Sequence, residues 1–279
     1  MKYFKIKSYA KVNLALNVVG KSKKLHKIES VVTFLDLHDE IKIKKIKLKK
    51  HKIKFTGKFS FGIKTKNTIS QLFNILDRKK LLNSKYQIIV KKNVPSQAGL
   101  GGGSMNAANI INFFVKKKLI RLKNREIIEI CNCIGSDVIL GLYPKKLIYF
   151  NNKVKILPFK TNFHTLIVKP QFGCSTKKIY AKVKKFSKLE LNSISKKLLD
   201  KKFFTKMKND LEIIVLNQYP KLKILKKYLK NLTNIEFVRM TGSGSAIIAY
   251  FNSVGKCKEA EKKVKKQFRN YWCKTSKTI

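Results

Sequence analysis

Acidic residues are scarce in this chain. Asp and Glu total 15 of 279 residues against 64 Lys and Arg, a formal net charge of +49. Arginine is scarce too: only Arg78, Arg121, Arg125, Arg239 and Arg269. Evolved nucleic-acid binders recruit arginine for its bidentate fork and cluster their basic residues on one face. Here lysine is spread along the whole chain among Ile, Asn and Phe, residues with A/T-rich codons. Genome composition accounts for the charge, so no specific nucleic-acid partner is expected. The charge still attracts phosphorylated ligands non-specifically and costs stability through self-repulsion. No run approaches the eighteen or so uncharged apolar residues of a membrane helix, and no signal-peptide apolar region follows the basic start. A cytoplasmic protein with no membrane association is expected. The five cysteines, Cys131, Cys133, Cys174, Cys257 and Cys273, are odd in number and scattered. Cys131-x-Cys133 has no matching second pair, which excludes a zinc framework and points to reduced thiols in a reducing compartment.

A hydrophobic content of 44% over this length supports one large domain or two modest ones. Alternation at period two from Tyr3 to Ile6, Val12 to Val18, Val31 to Leu37 and Ile41 to Leu48 predicts strands. Helical spacing covers Asn67 to Leu76, Ser104 to Val115 and Glu126 to Ile134, with a strand at Tyr86 to Val90. A second half begins near Pro158. It holds a strand at Thr165 to Val168, lysine-rich helices around Ser193 to Lys201 and Leu211 to Leu229, strands Ile235 to Met240 and Ala246 to Phe251, and a closing helix Lys256 to Arg269. This order predicts an α+β architecture.

The most informative segment is Pro95-Ser96-Gln97-Ala98-Gly99-Leu100-Gly101-Gly102-Gly103-Ser104-Met105, between a strand and a helix. Glycines let a backbone turn through positive φ and bring N–H groups close to phosphate oxygens. A helix N-terminus adds partial positive charge. Ser104 is expected to cap that helix and offers a hydroxyl to a phosphate or metal. The segment is neither a Walker A loop nor a dinucleotide fingerprint. A flexible polar linker, the bland alternative, would not lead at once into an apolar-periodic helix.

Other residues leave two readings open. Asp137 follows Gly135-Ser136 and precedes an apolar run, which suits a general base or a helix N-cap. Lys11 stands among Val12, Leu14 and Leu16, an apolar setting unusual for a lysine. Asn13 suits a structural or an active-site hydrogen bond. Thr241-Gly242-Ser243-Gly244 joins two strands, as a hairpin turn or a second glycine loop. Tyr180 reads as a core tyrosine.

Pro-x-x-x-Gly-Leu-Gly-Gly-Gly-Ser resembles the ATP-binding loop of the GHMP kinases. Ser8-Tyr9-Ala10-Lys11-Val12-Asn13-Leu14, the stretch from His26 to Ile41, Ile134-Gly135-Ser136-Asp137-Val138 and Arg239-Met240-Thr241-Gly242-Ser243-Gly244-Ser245-Ala246 resemble further blocks of one branch, in the family's order and over most of the chain. The resemblance implies a two-lobed α+β GHMP kinase fold. Residues 1–157 would form a ribosomal-protein-like ATP-binding domain and residues 158–279 a ferredoxin-like substrate domain. It implies ATP with Mg2+ and no assigned metal ligand among the residues. Lys11 and Asp137 would be catalytic, residues 95–105 would bind ATP, and Asn67 and Lys92 would lie near the adenine. The acceptor would be a small molecule carrying a cytidine diphosphate group, met by Asn13, His26, Thr176, Tyr180, Gly242 and Gly244, with Tyr180 stacking on the base. The enzyme would be a monomer or weak homodimer. Leu25 replaces the tyrosine usual before the histidine, Lys177 and Lys178 a less charged segment, and Met105 a small residue. Kinases of homoserine or mevalonate type, and a basic RNA-binding protein of similar fold, are the alternatives.

Overall fold

A computed structural model of the chain describes residues 2–22, 25–143, 145–150, 153–156, 161–189, 191 and 200–279. In chain order the elements are β1 (Phe4–Lys21), β2 (His26–Ile46), β3 (Lys52–Thr56), α1 (Thr68–Arg78), β4 (Lys85–Lys91), α2 (Gly102–Lys116), α3 (Asn124–Ile134), a 3-10 turn (Val138–Leu142), β5 (Leu147–Phe150), β6 (Lys153–Ile156), β7 (His164–Lys169), α4 (Thr176–Tyr180), α5 (Lys201–Lys206), α6 (Asp210–Gln218), α7 (Pro220–Lys230), β8 (Phe237–Met240), β9 (Ile247–Phe251), α8 (Val254–Gln267) and β10 (Trp272–Lys277). They group into two compact units. The first comprises Met1–Ala10, Leu37–Ser96 and Gly101–Pro144; the second comprises Lys11–Asp36, Gln97–Leu100 and Lys145–Ile279.

In the first unit the latter part of β2 pairs antiparallel with β4, from Glu40 opposite Lys91 to Ile46 opposite Lys85, and β3 runs parallel to β4 on its other side. The apolar faces of α1 and α2 close this unit. Ile69, Leu72, Phe73 and Leu76 from α1 and Ile110, Ile111 and Phe114 from α2 are buried. The Phe73 and Phe114 rings meet edge-on at 5.9 Å, the arrangement aromatic quadrupoles prefer.

In the second unit Glu29–Val32 of β2 pairs antiparallel with β5, which pairs with β6. A separate four-stranded antiparallel sheet has the order β10-β7-β9-β8. Read along the chain this is strand, helices, strand, strand, helix, strand, with the first and third strands central: the ferredoxin-like topology. Leu166, Val168, Val238, Met240, Ile247 and Ala249 from the sheet pack with Leu211, Val215, Leu222, Leu225, Ala260 and Val264 from the helices.

Several sequence expectations are corrected. The strands expected at Val31 to Leu37 and Ile41 to Leu48 are one continuous strand, β2, because its mid-strand acids find partners: Asp36 accepts the Lys277 N–H, and Glu40 pairs with Lys91 at 3.3 Å. The single helix expected from Leu211 to Leu229 is broken at Tyr219, with Pro220 opening α7. Proline has no N–H to give the preceding turn and pushes the residue before it out of helical geometry. The short elements β3, β5, β6, α4 and β10 were not anticipated. The helix expected around Ser193 to Lys201 lies, apart from its last two residues, Asp200 and Lys201, outside the described residues, as does the boundary at residues 157 and 158.

Candidate active site

The glycine segment is fixed at both ends. Its first half, Gln97–Leu100, belongs to the second unit. The Gln97 and Ala98 carbonyls accept the Ser245 and Ala246 N–H groups at 3.3 and 3.2 Å, and the Leu100 carbonyl accepts the Lys11 N–H at 3.1 Å. Gly99 has φ +74, and a Cβ there would lie 2.0 Å from the Thr241 carbonyl oxygen. Only glycine permits this approach. Its second half opens α2 in the first unit. Gly101, at φ +67, is the N-cap and supplies no side-chain capping bond. Ser104 therefore does not cap the helix as expected; it is the third helical residue. The N–H groups of that first turn carry the helix's positive end.

Lys11 is 3% exposed. Its ammonium donates to Asn13 Oδ1 at 2.9 Å, and Asn13 Nδ2 donates to Ser30 Oγ at 2.8 Å, which donates to the Ala15 carbonyl. The Asn13 N–H is received by Thr241 Oγ1 at 3.1 Å, and that hydroxyl lies 3.1 Å from the Gly99 carbonyl. A Cβ on Gly242 would sit 3.5 Å from the Lys11 ammonium. The Thr241–Gly244 turn is thus both a hairpin between β8 and β9 and a loop packed on the first glycine segment and Lys11. Asn13 is buried and bonded to the lysine it was expected to accompany. The Thr241 turn stood out in the sequence, but no role was assigned to its hydroxyl or to Ser30, since a lone Thr or Ser carries no spacing signal.

Asp137 is the N-cap residue of the 3-10 turn in the first unit, with φ −82, and its side chain makes no capping bond there. In the same unit, Lys92 is 4% exposed and paired with fully buried Asp39. Asp39 also accepts the Asn93 and Val94 N–H groups and the Asn106 amide. A Cβ on Gly102 would lie 3.2 Å from the Lys92 ammonium, so this cluster underlies the first turn of α2. Asn67 caps α1: Oδ1 accepts the Ile69 and Ser70 N–H groups, and Nδ2 donates to the Lys64 and Thr65 carbonyls. Both side chains expected near an adenine are thus committed to local structure. Met105 is fully buried in α2, where Gly141 packs against it.

In the second unit, His26 and Tyr180 lie with ring centroids 5.2 Å apart. Phe186, not singled out in the sequence, is 48% exposed and 6.5 Å from His26. Burial, aided by the positive charge of Lys21, holds the His26 imidazole below its usual pKa and so favours its neutral form. Leu25, beside His26, is 62% exposed. Thr176 Oγ1 and Ser243 Oγ are 2.8 Å apart, and Tyr180 also packs on the sheet core. Among the described residues no helix is long and apolar enough to cross a membrane. The cysteines are free thiols.

Residues 67–143 match the domain family described as GHMP kinases N terminal domain. Over the full length of both chains the sequence is 54% identical to a protein of Pelagibacter ubique named 4-diphosphocytidyl-2-C-methyl-D-erythritol kinase. The chain belongs to the 4-diphosphocytidyl-2-C-methyl-D-erythritol kinase family. A Clostridium tetani protein of that name is 31% identical over 99% of this chain and 100% of its own. The fold is similar to a solved 4-(cytidine 5'-diphospho)-2C-methyl-D-erythritol kinase (TM-score 0.77, 19% identity, 98% and 99% of the two chains) and to a homoserine kinase from Cytophaga hutchinsonii (TM-score 0.72, 16% identity, 100% and 95%). Family membership makes the chain an ATP-using small-molecule kinase with an alcohol acceptor, and the α+β GHMP kinase fold is the one expected.

Proposed function

We propose that this chain transfers the γ-phosphoryl of ATP to the 2-hydroxyl of 4-diphosphocytidyl-2-C-methyl-D-erythritol, a step of non-mevalonate isoprenoid precursor synthesis. The observation that carries the reading is the 54% identity, from end to end, with the Pelagibacter relative of that name. The glycine-capped start of α2 fits a nucleotide: it offers backbone N–H groups with no side-chain cap in competition. In this reading residues 95–105 hold the phosphates, and residues 1–157 and 158–279 act as the ATP and acceptor domains. The enzyme works in the cytoplasm as a monomer or weak homodimer, without a specific nucleic-acid partner.

Phosphoryl transfer needs position and charge neutralisation more than covalent chemistry. Lys11, desolvated and oriented by Asn13, stabilises negative charge on the group in transit. Asp137 receives the acceptor hydroxyl's proton. His26, Tyr180 and Phe186 form an aromatic set suited to a pyrimidine, with Thr176 as a nearby hydroxyl. Magnesium, when bound, neutralises the nucleotide phosphates. In this reading it accompanies ATP.

A coupled ADP-release assay with the cytidine-bearing acceptor, homoserine and mevalonate tests the proposal. The cytidine-bearing acceptor should exceed both others in kcat/KM by about a hundredfold or more. Equal rates, or preference for an acceptor without cytidine, would remove the substrate assignment.

A further inference from the structure

We infer that Asn209 is a positioning residue for the phosphoryl transfer, acting on Lys11 through the Thr241–Gly244 turn; the inference rests on the kinase reading above. Asn209 is 3% exposed and is the N-cap of α6. Its Oδ1 caps the helix in the ordinary way, accepting the Leu211 N–H at 3.0 Å. Its amide nitrogen does something a cap does not require. It donates to the Met240 carbonyl at 2.9 Å and the Gly242 carbonyl at 2.8 Å. These two bonds bracket Thr241, whose hydroxyl receives the Asn13 N–H. They also fix Gly242, whose Cα side faces the Lys11 ammonium. One amide therefore sets the height of the turn over the lysine.

The rest of the helix start reinforces this placement. Asn209-x-x-Glu212 has the spacing of a capping box, in which the glutamate would fold back on its own N-cap. Here Glu212 reaches across instead, accepting the Met240 N–H at 2.9 Å and pairing with Lys226 at 2.6 Å. Asp210 accepts the Val18 N–H of β1 and the Ser187 hydroxyl. The first turn of α6 thus ties β1 at Asp210 and the base of the glycine turn at Asn209 and Glu212. Of these three side chains, Asn209 is the one that bonds within the turn itself, at the Gly242 carbonyl.

The test compares Asn209→Asp, Asn209→Ser and Asp210→Asn. The first keeps the helix cap and nearly the same shape but removes both donors. The second keeps the cap and one donor, and guards against failure of the first to fold. The third loosens the same helix away from the turn. Backbone amides from Thr241 to Ala246 should exchange with solvent about tenfold faster in Asn209→Asp and less so in Asn209→Ser. In the same order kcat should fall, by about tenfold or more for Asn209→Asp, with KM for ATP and acceptor within about twofold. Asp210→Asn should leave both readouts near wild type. Unchanged exchange in both Asn209 variants, an unchanged kcat, or an equal loss in Asp210→Asn would overturn the inference. A wild-type enzyme inactive toward the cytidine-bearing acceptor would sink the substrate reading, and amide exchange would then decide the Asn209 clamp by itself.

Discussion

Two glycines make opposite cases for what a single Cβ does. Gly62 and Gly99 have nearly the same positive φ, +73 and +74. Nothing lies within 4 Å of a Cβ built on Gly62, whereas Gly99 would drive one into the Thr241 carbonyl at 2.0 Å. Gly62→Ala should cost only the left-handed backbone penalty, about 1–2 kcal/mol, and leave ATP affinity intact. Gly99→Ala should cost more and abolish measurable ATP binding. Urea denaturation and nucleotide titration of the two variants measure the contrast, and equal effects would mean the glycine segment is not pinned by the second turn. At Asp137, replacement by Asn keeps the shape and removes the basic oxygen. Steady-state kinetics should show kcat lower by about a hundredfold or more, as expected for loss of a general base; an unchanged rate would end that assignment.

At the scale of elements, the buried cluster under α2 supports the first turn of that helix. Asp39 carries the Lys92 charge and receives two backbone N–H groups and the Asn106 amide. Asp39→Ala would strand a lysine that is 4% exposed, and equilibrium unfolding should show a loss of about 3–5 kcal/mol. A loss below about 1 kcal/mol would show that the lysine finds water. The pairing was not legible in the sequence, because Asp39 lies far from Lys92 in the chain and the family resemblance marked Lys92 only for a place near the adenine. The long helices and the glycine segment were legible because their apolar periods and glycine spacing are local. The edge strands β6 and β10 were not. In β6, Lys153-Val154-Lys155-Ile156, and in β10, Trp272-Cys273-Lys274-Thr275-Ser276-Lys277, lysine occupies the outward positions and the apolar signal is short. The break at Pro220 was legible and was overridden by the apolar spacing on either side. At the site, Lys11, Asn13 and the Thr241 turn stood out through family motifs. Asn209, Ser30 and Phe186 did not, because what they do depends on distant chain segments.

For the whole molecule, charge sets the solution behaviour. A net +49 with lysine spread everywhere means self-repulsion in the folded state. Thermal stability should rise from about 0.01 M to about 1 M sodium chloride as the Debye length falls from about 30 to about 3 Å; a flat or falling Tm would show that local pairs dominate. Histidine adds a pH dependence. Burial holds His51 below 6.5 despite Asp77 at 3.1 Å. The Tyr86 N–H donated to Nδ1 already fills the place of a second proton. His26 is lowered as well. A histidine whose folded pKa is depressed binds fewer protons folded than unfolded. Its contribution is therefore present above the unfolded value of about 6.5 and drains away as pH falls below it. Melting curves should shift downward from about pH 7 to about pH 5, less so in His51→Phe. The central claim, that this chain grips ATP phosphates on backbone N–H groups between Ala98 and Ser104, is tested most directly by a crystal structure with a non-hydrolysable ATP analogue. Phosphate oxygens should lie about 3 Å from backbone nitrogens of that segment; a triphosphate bound elsewhere, with the segment untouched, would contradict it.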